Sequence, residues 1–167
     1  MERHIKKYQF WIKLAVIIMS VLQPFILIMN QGYLWSISSY WKTSLQPLFI
    51  LVNAGTSYFF FSTEKWIVPA IFLLLLTAFS VEEYKLVHNI FAALFFISCT
   101  IPLLQIKRFQ FFGYIYLFSL VVFWVYGMLI FEIYCVLILG LYHLTILLYT
   151  RYLEKIRRDF KQSIDSQ

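Results

Sequence analysis

The sequence predicts an all-α, polytopic membrane bundle of six transmembrane helices, with five as the alternative, and three observations carry that prediction. The chain of 167 residues is 62% apolar, 21% aromatic and only 13% charged, whereas a soluble domain carries roughly a quarter of its residues charged. It has too few polar residues to cover a water-facing surface. Its charges are confined to gaps between apolar runs, as expected when a charged side chain at the bilayer centre costs about 2.5 to 3.5 kcal/mol. Finally, the basic residues sort into alternate gaps, so the net charge of +6 reads as a topology signal rather than as a nucleic-acid surface.

Cutting the chain where charge returns defines the spans in order. The first runs from about Phe10 to Met29, the second from Gln46 to Phe61, the third from Trp66 to Val81 and the fourth from Leu86 to Leu104. The first has a basic start but no small-x-small cleavage site near Met29 to Gly32, so it is expected to be an uncleaved anchor. The second and third are short, roughly 24 Å each, and need Ser62 to Lys65 as a tight interfacial hairpin. From Phe109 to Tyr149 the only charge is Glu132. As one helix this stretch would reach about 60 Å, twice the hydrocarbon thickness, so it is expected to fold back near Gly127 and Glu132 into two spans.

With the N-terminus in the cytoplasm, the inner side holds Arg3, Lys6, Lys7, Lys13, Lys65, Lys107, Arg108, Arg151, Lys155, Arg157, Arg158 and Lys161, against Lys42 and Lys85 outside. Counting Glu2, Glu64, Glu154, Asp159 and Asp165 inside and Glu82, Glu83 and Glu132 outside leaves an inner face near +7 and an outer face near −1. Both termini are therefore expected in the cytoplasm and the protein in the inner (plasma) membrane. Residues 1–150 form the membrane domain. Residues 151–167 form a basic tail whose Leu153, Ile156 and Phe160 have the helical spacing of a segment lying on an anionic leaflet. Nucleic acid is not expected, because a tail with one aromatic offers no base-reading surface.

The polar minority supplies the candidate residues. Near the outer face lie Ser36, Ser38, Tyr40 and Lys42, then Glu82, Glu83 and His88, and Glu132 at the fifth turn; Ser36, Ser38, Tyr40, His88 and Glu132 are the candidate ligand-binding set. Gln23, Asn53, Ser57, Thr77, Asn89, Ser98 and Thr145 lie deeper, where hydroxyls and amides commonly pair between helices, and His143 lies in the inner half. A Ser, a His and a Glu on one face permit a hydrolase reading, but no nucleophile-elbow motif accompanies Ser36 or Ser38. Three ligands, His88, Glu82 and Glu132, are compatible with a metal, yet His143 stands at the opposite depth. No metal or cofactor is expected. Cys99 and Cys135 sit within apolar runs and read as packing residues, while Trp35, Trp41 and Trp66 read as interfacial anchors.

The segment Trp35-Ser36-Ile37-Ser38-Ser39-Tyr40-Trp41-Lys42-Thr43, leading into Gln46 and Phe49, resembles a six-span bacterial membrane protein family of unknown function. In that family an S-I-S-x-Y-aromatic-x-T loop enters an R/Q-x-x-F helix. His88 with Ala92, Ala93, Phe95 and Phe96 resembles its H-x-x-x-A-A-x-F-F helix, and Phe131-Glu132 resembles the F-x-E opening of its last helix. The family is distantly similar to the DRAM and Frag proteins, which include factors acting on the lipid part of GPI anchors. The resemblance implies a six-helix bundle with an outer polar site and implies no established reaction. This chain departs from the pattern at Gln46, where a basic residue is expected, and in a short loop around Glu82 and Glu83.

Three functions compete on these grounds. The first is an outward pocket for a membrane lipid or small amphiphile. The second is an oligomeric channel or membrane-perturbing effector of a bacterial stress or defence system, requiring a homo-oligomer because no span carries a wide polar stripe. The third is a structural subunit that packs on a membrane protein partner through Ala54, Gly55 and Ser57. Enzymatic activity is the less favoured reading.

Overall fold

The computed structural model describes the backbone of residues 2–165 and the side chains of residues 8–160, 162 and 163. The side chains of Glu2, Arg3, Lys6, Lys7, Lys161 and Asp165, which enter the charge count, lie outside the described residues. The chain is all-α: α1 (Glu2–Gln31), α2 (Gln46–Phe61), α3 (Ile67–Ala78), α4 (Lys85–Gln105), α5 (Phe111–Leu117), α6 (Ser119–Tyr126) and α7 (Met128–Asp165). Short 3-10 turns at Ile37–Lys42, Glu64–Trp66 and Lys107–Phe109 fill three of the connections.

Local chemistry sets the boundaries. Gly32 ends α1 at φ 74°, its N–H donating to the Ile28 carbonyl at 2.8 Å, a left-handed conformation that glycine adopts without a Cβ penalty. Pro47 opens α2, where its missing N–H leaves no intrahelical bond unmade. The reversal before α7 is made by Gly127 alone, at φ 84°. Glu132 is therefore not part of that turn; it lies one helical turn into α7 and is buried. The third apolar run ends as a helix at Ala78, short of Val81, because Phe79 is extended.

Consecutive helices pack as neighbours: α1 on α2, α2 on α3, α3 on α4, α4 on α5 and α6 on α7, and α7 closes back on α1. The result is an up-and-down bundle. At one end lie the Ile37–Lys42 turn, residues 79–84 and Gly127; at the other lie Trp66, Arg108, Phe10 and Arg151, with Arg151 over the Phe10 ring at 4.1 Å. Tyr8–Gln31, Lys85–Gln105 and Met128–Phe160 are long and apolar enough to cross a membrane, and Phe111–Tyr126 is a shorter apolar stretch. α2 and α3, with 16 and 12 residues, reach only about 24 and 18 Å. At 38 residues α7 extends about 57 Å and runs through position 150 without a break.

Helix contacts are made by small residues and by a few polar bridges. A Cβ at Gly140 would collide with the Val21 side chain, so α7 and α1 touch backbone to side chain there. The Ser20 and Thr56 hydroxyls pair at 2.6 Å, and Gln23 Nε2 donates to the Phe49 carbonyl at 3.3 Å. Four deep hydroxyls make no such bridge: Ser57, Thr77, Ser98 and Thr145 donate to carbonyls of their own helix three or four residues back. Trp66 is no interfacial anchor either. It is 2% exposed and stacks into a box with Phe60, Tyr142 and His143, whose ring lies 4.4 Å from it. The nearby apolar partners remove it from the surface, and they bury His143 as well.

Candidate functional site

The site is assembled by the segment between α1 and α2. Ser36 caps the 3-10 turn, its Oγ accepting the Ser39 N–H at 3.2 Å. The same oxygen lies 3.0 Å from Ser38 Oγ and 2.9 Å from Ser39 Oγ, so three hydroxyls form one cluster. Tyr40 ties the segment to the end of α1: its hydroxyl donates to the Gly32 carbonyl at 2.6 Å and accepts the Leu34 N–H at 3.4 Å. Burial pushes the Tyr40 hydroxyl above its ordinary pKa of 10.0, so it stays protonated and donating through neutral pH. The segment is fixed to α7 by Glu132, whose Oε2 accepts the Ile37 N–H at 2.5 Å.

Between these residues and α4, α5, α6 and α7 lies a cavity of about 1470 Å³. Its cause is a divergence of helices. Tyr116 on α5 donates to the Phe96 carbonyl of α4 at 3.2 Å, and α5 packs along α4. After the break at Phe118, α6 packs on α7 instead and leaves α4. The small side chains of Ala92 and Ala93 deepen the resulting groove, and Phe96, Ile97, Ile101, Leu117, Leu120, Phe123 and Phe131 wall it with apolar surface. Its polar end carries Ser36, Ser38, Ser39, Asn89 and Glu132, and Lys42, Glu82 and Lys85 stand around the mouth. Lys42 and Glu82 approach to 3.8 Å with both side chains more than half exposed, a pair that contributes at most about 1 kcal/mol.

Of the five candidate residues, the fold brings Ser36, Ser38 and Glu132 to this cavity and keeps Tyr40 and His88 out of its lining. Tyr40 is fully buried as the loop's anchor. His88 is fully buried with Nδ1 2.7 Å from the Phe79 carbonyl, the backbone group freed where α3 ends, and Nε2 has no hydrogen-bond partner. Neither a serine hydroxyl nor Glu132 is bonded to His88, so no Ser–His–carboxylate relay is assembled. Among the described residues no group of three or more His, Cys, Asp or Glu side chains is placed to hold a metal ion.

Sequence reasoning missed Ser39, the position of Asn89 at the polar end and the whole apolar wall. The adjacent small residues Ala92 and Ala93 were the available signal for a groove beside α4. The arrangement offers an apolar trough with a hydroxyl and carboxylate end.

No family model, no curated protein and no solved structure matches this chain.

Proposed function

We propose that the protein is a multi-pass inner-membrane protein of six spans, with both termini cytoplasmic, that holds a lipid or small amphiphile in the groove between α4 and α6. The supporting observation is the graded polarity of the groove. Its mainly apolar length on α4, Ala92 to Ile101 with the Thr100 hydroxyl near its far end, is about 14 Å, close to one leaflet of a hydrocarbon core of about 30 Å. The polar end coincides with the end that the distribution of Lys and Arg assigns to the outside. A tail in the trough would leave its headgroup beside Ser36, Ser38 and Glu132.

The test is photolabelling of the full chain in nanodiscs with a diazirine-tailed phospholipid, followed by mapping of the adducts. Labels should concentrate on Ala93, Ile97, Leu120 and Phe123, and Ala93→Trp, a change at an exposed groove position, should remove them. Adducts spread evenly over the outward faces of α1 and α6, unaffected by Ala93→Trp, would refute the reading.

A further inference from the structure

The groove's polar end contains a carboxylate without a counter-charge. Glu132 is 4% exposed and lines the cavity, yet its one hydrogen bond is the Ile37 N–H on Oε2. Among the described residues the ion pair at this end joins Lys42 to Glu82, at the mouth, and no cationic side chain pairs with Glu132. A buried carboxylate with no paired cation is costly to hold ionised, and a positive group that arrives with hydrogen-bond donors stabilises its charged form. The neighbouring hydroxyls suit such a group. Ser36, Ser38 and Ser39 offer oxygens that accept N–H bonds beside the carboxylate, and an ammonium carries three donors.

Resting on the groove reading above, we infer that the occupant is an amine-headed amphiphile: its ammonium sits on Glu132 and the Ser36–Ser38 hydroxyls, and its tail follows α4 from Ala92 toward Ile101. The order of groups along the trough matches this ligand. Apolar wall comes first, the carboxylate and hydroxyls next, and the mixed charges of Lys42, Glu82 and Lys85 last, at the mouth. A headgroup that is only anionic would pass Lys42 and Lys85 at the mouth but would stop against the Glu132 carboxylate at the polar end. Glu132 is thus a specificity-determining residue, held in place by the Ile37 N–H on its Oε2.

The experiment compares three probes of equal tail, laurylamine, monolaurin and lauryl phosphate, bound to the full chain and read by native mass spectrometry from a neutral detergent. Laurylamine should bind about tenfold or more tightly than monolaurin, the size of a charge-assisted contact. The preference should vanish in Glu132→Gln, which keeps an oxygen for the Ile37 N–H and removes the charge. Equal or tighter binding of monolaurin or lauryl phosphate by the unaltered chain overturns the inference, as does a preference that survives Glu132→Gln. Monolaurin binding that Ala93→Trp abolishes leaves the groove reading standing in either case. Binding of none of the three overturns both.

Discussion

Glu132→Ala should loosen the segment between α1 and α2 without unfolding the bundle. Ile37 is buried, and its N–H has the Glu132 carboxylate as its acceptor at 2.5 Å. Removing the acceptor leaves a buried donor unpaired and costs about 1 to 3 kcal/mol. If the opening of the segment is the event that exposes its amides, that cost corresponds to about five- to a hundredfold faster exchange. The Tyr40 bond to the Gly32 carbonyl, at 2.6 Å, keeps the segment attached to the end of α1, and the Thr43 bond to the Tyr40 carbonyl, at 2.8 Å, holds its turn; neither involves Glu132. Hydrogen exchange of peptides covering 33–45, measured in nanodiscs, is the assay. Glu132→Gln should stay within about threefold of the unaltered chain, since its amide oxygen still accepts the N–H. Unchanged exchange in Glu132→Ala, or equal acceleration in both variants, would show that this bond does not hold the segment.

Three further outcomes follow from the packing. Tyr40 has a folded-state pKa raised above its ordinary 10.0 by burial, so its contribution to stability is complete below pH 10 and declines as pH rises from there toward the folded value; Tyr40→Phe should flatten that alkaline decline while costing about 1 kcal/mol at neutral pH, and an unaltered pH profile would contradict the assignment. Gly140→Ala should destabilise by about 1 to 3 kcal/mol in reversible detergent unfolding, because its Cβ meets the stiff Val21 side chain, and Val21→Ala should restore part of the loss; additive effects would mean that α1 and α7 are not in contact there. His143→Phe should be no less stable than the unaltered chain, since Nε2 is buried without a partner and the surrounding Phe59, Phe60, Trp66 and Tyr142 rings accept another ring; a large loss of thermal stability would assign the imidazole a polar role.

Much of the helix plan is legible in the residues themselves. The second helix begins at Gln46 beside Pro47 and ends at Phe61, where polar Ser62 and Thr63 stop the apolar run, and Gly127 breaks the long final stretch at the one residue able to hold φ 84° there. These are local signals, readable within a few positions. The exposure of Trp66 and the orientation of His88 are not local. Trp66 is buried by Tyr142 and His143, which arrive from α7, and the His88 ring turns toward a carbonyl released only because α3 stops at Ala78. Hydropathy placed Ser36, Ser38, Tyr40, His88 and Glu132 at one level. It carried no information on which side of each helix faces the groove, and so it did not separate the anchors Tyr40 and His88 from the residues of the lining. Deep hydroxyls escaped for a related reason: a helix can satisfy Ser57 or Thr77 from its own carbonyls, so polarity at depth does not imply a partner.

The central claim, a tail held between α4 and α6 under a buried carboxylate, is tested most directly by an experimental structure of the full chain in lipid nanodiscs, enlarged by a rigid antibody fragment. Elongated density should run beside Ala93, Ile97 and Ile101, with its polar end within hydrogen-bond reach of Glu132 and Ser38. Closure of α6 against α4, with Phe123 and Leu120 filling the trough and no density along it, would contradict the claim.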